Sequence, residues 1–113
     1  MNDTSALDKA VIDTLKGLMK DRFGFLIETF ISKTHTHLEE LDTAIAANNV
    51  DSIISITHSL KGSAGSVGAL SMHLLCKEYE DRSRQNDLSD VQNWVEKLRI
   101  EYDRYNNEIK TYL

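Results

Sequence analysis

No proline occurs anywhere in this chain of 113 residues. Proline presets turn geometry and stops helices, so a sequence without it has few places where the backbone is forced to bend. A β-rich domain of this length would use proline and many glycines in its turns. Only five glycines occur, Gly17, Gly24, Gly62, Gly65 and Gly68, and three of them fall within seven residues. The chain therefore reads as all-α, with one segment whose composition differs from the rest.

The apolar residues repeat at helical spacing. A short first helix carries Leu7, Val11, Leu15 and Leu18, with Ser5 and Asp8 resembling a capping box at its start. A second helix is expected from about Asp21 to Asn48, with Phe23, Ile27, Phe30, Leu38, Leu41 and Ile45 on one face and a gap at Thr34. Asn48-Asn49 reads as a stop and restart, because asparagine suits both helix ends. The third helix runs from Val50 or Asp51 to about Val67 on the stripe Ile53, Ile56, Leu60, Ala64 and Val67, and Gly68 ends it. The fourth, from about Ala69 to Gln85, places Met72, Leu75, Cys76 and Tyr79 together, and Asn86-Asp87 breaks it. Ser89 with Gln92 forms a second capping-box pattern before a last helix carrying Val91, Trp94, Leu98, Tyr102, Tyr105, Ile109 and Tyr112. Long helices with short connections pack as antiparallel neighbours. The expected architecture is a single domain over residues 1–113: an antiparallel up-and-down four-helix bundle with an additional short N-terminal helix.

Composition bounds the function. The formal charge of −5 argues against nucleic acid and anionic membrane as partners. One cysteine permits no internal disulfide, no apolar run is long enough for a membrane span, and Met1 to Ser5 has no signal-peptide character. A cytoplasmic, monomeric protein is the expectation. Met1, the capped first helix and an end soon after the last helix favour an independent polypeptide, with a domain of a larger sensor kinase as the other reading.

On a wheel of the third helix, His58 points away from the apolar stripe and towards solvent. Ile54 lies one turn before it, Gly62 one turn after, Gly65 a further turn on, and Lys61 beside it. A neutral imidazole is a competent nucleophile, and a reference pKa of about 6.5 leaves it mostly neutral near pH 7. Gly62 and Gly65 each cost helix stability, about 0.8–1 kcal/mol against alanine, which suggests that the surface beside His58 must be bare. Lys61 puts a positive charge about where the oxygens of a phosphoryl group on His58 would sit. Ile54 adds an exposed patch for a partner. The glycines fit neither a P-loop, since Lys61 precedes them, nor a dinucleotide fingerprint, so no ATP site is expected.

The segment Thr57-His58-Ser59-Leu60-Lys61-Gly62-Ser63-Ala64-Gly65-Ser66-Val67-Gly68-Ala69 resembles the signature of the histidine-containing phosphotransfer (HPt) domains of bacterial multistep phosphorelays. Leu75-Cys76 and Tyr79-Glu80 resemble its second stretch. The resemblance implies a helical bundle whose histidine accepts a phosphoryl group from a receiver-domain phosphoaspartate and passes it to a second receiver, in a hybrid sensor kinase or a response regulator. It assigns phosphorylation to His58, stabilisation of the phosphoryl oxygens to Lys61, access to Gly62 and a hydrogen bond to the imidazole to Glu80. Arg84 matches a position where some members carry a further polar or basic group, and with Ile54 and Gly65 it is assigned to the partner surface. The chain would have no cofactor of its own, the divalent metal belonging to the receiver, and it would be a phosphoryl carrier rather than an enzyme. Thr57 and Tyr79 depart from the family, where alanine and leucine are common.

Blander readings stand beside these. His58 and Lys61 would be ordinary surface residues, the glycines would serve helix packing, and Glu80 would simply pair with Arg84 at i+4. His73 and Cys76, at i and i+3, offer two ligands but no complete metal set, and Cys76 reads as a buried small hydrophobe. The rival function is a helical protein–protein adaptor without phosphate chemistry.

Overall fold

The computed structural model describes residues 5–113; Met1 to Thr4, part of the leader reading above, lie outside them. Five helices follow one another: α1 (Lys9–Met19), α2 (Phe23–Ala46), α3 (Val50–Ser66), α4 (Leu70–Arg84) and α5 (Trp94–Ile109). Short 3-10 turns at Lys20–Arg22 and Val91–Asn93 lead into α2 and α5, and another at Lys110–Tyr112 follows α5. The helices α2 and α4 each pack against both α3 and α5, closing a four-helix bundle, and α1 lies against α2. The expected all-α architecture is thus the observed one.

The turns on either side of α3 have identifiable causes. Asn48 takes a left-handed backbone (φ 53°) that ends α2, and Asn49 then caps α3 by accepting a hydrogen bond from the Ser52 amide at 3.1 Å. Gly68, at φ +72°, turns the chain from α3 into α4, and a Cβ there would sit 2.7 Å from Ile12 Cγ1. Only glycine suits both the conformation and the space. The same turn is pinned from outside. The Asp8 amide donates to the Gly68 carbonyl at 2.8 Å and the Leu70 amide to the Ala6 carbonyl at 3.0 Å, an antiparallel bridge between Leu7 and Ala69.

The core forms two clusters along the bundle. One gathers Leu38, Leu41, Ile53, Leu60, Cys76, Trp94 and Leu98, with Tyr79 stacked on Trp94 at 4.4 Å between ring centres. The other gathers Ile12, Phe23, Ile27, Phe30, Ala64, Met72, Tyr105 and Ile109. No helix among the described residues is long and apolar enough to cross a membrane.

Four local expectations are corrected. Asp8, not Ser5, is the cap of α1, accepting from the Val11 amide at 3.3 Å. Ser89 caps nothing: its hydroxyl donates to the Asp87 carboxylate at 2.9 Å, and a 3-10 turn precedes α5. Leu18 is 74% exposed, while Ile12 supplies the buried contact of α1. The gap at Thr34 is no gap, because Thr34 is buried in the α2 stripe.

Candidate functional site

Thr57 decides how α3 is oriented. It is buried with Ile53, Leu60 and Ala64, whereas Ile56 is only half-buried. Its hydroxyl donates back to the Ile53 carbonyl at 2.8 Å, so the polar side chain reaches the core already satisfied. Relative to the simple apolar stripe, the helix is rolled towards α4. That roll half-buries Ile54, which is therefore not the exposed patch expected, and brings the edge of the His58 ring against α4.

The residue awaiting His58 on α4 is Glu80. Its side chain is 5% exposed, yet it sits among three donors. His58 Nδ1 lies 3.0 Å from Glu80 Oε2. Arg84 donates to the same oxygen through Nη2 at 2.7 Å and Nε at 3.1 Å. Lys61 Nζ lies 2.8 Å from Oε1. Desolvation raises the pKa of the buried carboxyl, but the hydrogen bonds from Lys61, Arg84 and His58 outweigh it and bring the value down to about 2. Glu80 is accordingly ionised near neutral pH. A carboxylate only accepts, so the atom of His58 facing it must carry a hydrogen. Nδ1–H is thereby fixed, and the lone pair of the neutral ring resides on Nε2, the far nitrogen of a side chain that is 62% exposed.

The space in front of Nε2 is open. Gly62, one turn after His58, is exposed, and a Cβ built on it would meet nothing within 4 Å. Gly65 is different. A Cβ there would come within 3.0 Å of His73 Nδ1, because the His73 ring of α4 lies over it. His73 Nδ1 donates in turn to the Lys61 carbonyl at 2.9 Å. Gly65 thus serves the close approach of α3 and α4, and the space expected for a partner is filled by His73.

Lys61, 29% exposed, and Arg84, 54% exposed, both bind Glu80 while reaching the surface beside His58. Arg84 therefore belongs to the cluster itself. The two readings of Glu80, contact with His58 and pairing with Arg84, hold together on one oxygen. Cys76 is fully buried, and burial pushes its thiol up to about 12. Among the described residues no group of three or more histidine, cysteine, aspartate or glutamate side chains is arranged to hold a metal.

The role of His73 was not legible beforehand, because its partner Lys61 lies on another helix. A histidine offering one nitrogen to a buried carboxylate and the other to solvent, beside two cations and a bare glycine, is arranged for covalent chemistry with an anionic group. The family model for the Hpt domain matches residues 26–108. This chain belongs to the Hpt family. The phosphorelay intermediate protein YPD1 of Candida albicans (strain SC5314 / ATCC MYA-2876) is 26% identical over 95 residues, which cover 81% of this chain. The Hpt chain spans about half the length of that curated relative, 52%. The crystal structure of histidine-containing phosphotransfer protein B (HptB) from Pseudomonas aeruginosa PAO1 superposes with a TM-score of 0.91 at 25% identity, over 97% of this chain and 96% of that one.

Proposed function

We propose that this Hpt domain is a phosphorelay intermediate that takes a phosphoryl group onto His58 Nε2 from the phosphoaspartate of one receiver domain and yields it to another. The observation that carries this reading is the 3.0 Å contact of His58 Nδ1 with the Glu80 carboxylate, which assigns the hydrogen to Nδ1 and leaves the nucleophilic lone pair on the exposed nitrogen. Family membership and the likeness to a named phosphorelay intermediate support it.

The roles of the other residues follow from their positions. Lys61 and Arg84 offer hydrogens to the phosphoryl oxygens while remaining within reach of Glu80, and Gly62 leaves room for the incoming group. Transfer between oxygen and nitrogen through a loose transition state asks mainly for alignment and charge compensation, which these groups supply. The divalent metal belongs to the receiver, and the domain is a carrier without an ATP site. We place it in the cytoplasm as a monomer.

The test is transfer of label from a phosphorylated receiver domain. The expected outcome is label on the wild type that survives alkali and is lost in acid, and none on His58→Gln. Equal labelling of His58→Gln would overturn the assignment. Failure of a folded wild type to take label, with retained receiver binding, would leave an adaptor.

A further inference from the structure

The proton on His58 Nδ1 has a second consequence once the ring carries its cargo, given the carrier reading above. In loading, the Nε2 lone pair forms the N–P bond and the P–O bond of the receiver's acyl phosphate breaks, its electron pair staying on the receiver carboxylate. The Nδ1 proton does not move, so the phosphorylated ring is cationic. In unloading, a receiver carboxylate oxygen attacks phosphorus, the N–P electron pair returns to Nε2 and a neutral imidazole departs. A ring that had lost its Nδ1 proton in the interval would have to depart as an anion, a far poorer leaving group. Whether carried phosphate can be passed on thus depends on one hydrogen.

We propose that Glu80 is a positioning residue that keeps the proton on Nδ1 while His58 is phosphorylated, so that the loaded carrier stays ready to discharge. Its carboxylate is 3.0 Å from Nδ1 and nearly buried, so a full negative charge stands at contact distance from the edge of a cationic ring. It is also held in place from both sides, Oε1 by Lys61 and Oε2 by Arg84. These three, Lys61 on α3 and Glu80 and Arg84 on α4, are the charged groups that face the ring. Among the described residues nothing from α1, α2 or α5 bonds to any of the four. The two cations oppose protonation of the ring, and the carboxylate, which alone touches Nδ1, favours it. A neutral amide at position 80 would still accept a hydrogen bond but would not offset the ring's charge.

The experiment compares wild type with Glu80→Gln, an isosteric change whose fold is checked by circular dichroism. Both are labelled from a phosphorylated receiver, separated from it, and discharged to fresh receiver between about pH 5.5 and 9, the range spanning imidazole titration. At the acid end the two should discharge within about twofold of each other. The variant's rate should then fall about one pH unit earlier, leaving it about tenfold slower near pH 8. Taking the ratio cancels the receiver's own pH dependence. A ratio that stays constant with pH would overturn the inference and reduce Glu80 to placing the ring. Nitrogen NMR of the phosphorylated wild type reads the same proton directly. Loss of Nδ1–H at the pH found for free phosphohistidine overturns the proposal even if the variant will not load. Absence of label on the wild type would instead overturn the carrier reading.

Discussion

Two charge clusters sit two residues apart on α4, with opposite polarity. Glu80 is one anion among Lys61, Arg84 and the His58 ring. Arg82 is one cation among Glu78, Asp87 and Asp90, with its guanidinium 5.2 Å from the centre of the Trp94 ring. Two residues apart on a helix means nearly opposite faces, so Glu80 looks towards α3 and Arg82 towards the α4–α5 connection. The difference lies in what is left over. Arg82 gathers the chain around Asn86, whose φ of 60° ends α4, and Asp90 also accepts from Trp94 Nε1 at 3.1 Å. Its partners close on one another and tie a turn. Around Glu80, one reactive atom, His58 Nε2, is turned outwards beside an empty surface. Density of charge alone does not separate a site from a strut; an outward-facing reactive atom does.

The sharpest way to test that contrast is to fill the empty surface. Gly62→Gln should keep its helix, since nothing stands near a Cβ at this position, yet obstruct the approach to Nε2. Receiver-to-domain transfer should fall roughly 100-fold, the scale expected when reacting groups are displaced by about 1 Å, with thermal stability unchanged or higher. A variant that transfers normally would show that the bare surface is not needed.

Arg82→Ala should give the reverse pattern. Losing the contacts to Glu78, Asp87, Ser89 and Asp90 should lower the midpoint of a denaturant titration, while phosphoryl acceptance stays at the wild-type rate. A loss of transfer at constant stability would merge the two clusters into one function.

Acid affects both clusters in the same direction. The Glu80 carboxyl is held down to about 2 against an ordinary 4.5, its desolvation being outweighed by its three donors. A group whose folded pKa is depressed adds stability that is complete above its unfolded pKa and fades as pH falls through its folded one. Hydrogen bonds from Arg82 depress Asp87 and Asp90 likewise. Stability should therefore decline progressively from about pH 4.5 downwards, and in Glu80→Gln the decline should be shallower. An equal slope in the two proteins would show that the Glu80 cluster contributes nothing to it.

Much of this was legible in the sequence, for reasons particular to each residue. His58, Lys61 and Gly62 lie on one helix, and their separations of three and four suffice to place them side by side. The stripes of α2 to α5 were readable for the same reason, and with them the bundle. Glu80 was harder. Its resemblance to a family position pointed at His58 and its spacing pointed at Arg84, and only the crossing of α3 and α4 shows one oxygen serving both. Gly65 misled because its neighbour, His73, comes from another helix. Thr57 and Thr34 misled because hydropathy counts them as polar, although both are buried. At the caps, adjacent serines and aspartates compete for the same amides, and the choice of Asp8 over Ser5 turns on local geometry that composition does not encode.

The bridge between Leu7 and Ala69 bears on the order of assembly. The connections from α2 to α3 and from α3 to α4 are three residues each, so these helices meet across short loops and can pair early. The bridge joins residues far apart in the chain, so it closes a long loop and carries the entropic cost of doing so. The N-terminal segment can therefore dock only once the α3–α4 turn that receives it has formed. The helix pair that carries His58 and Glu80 is joined by its own short connection and does not rely on that bridge to meet.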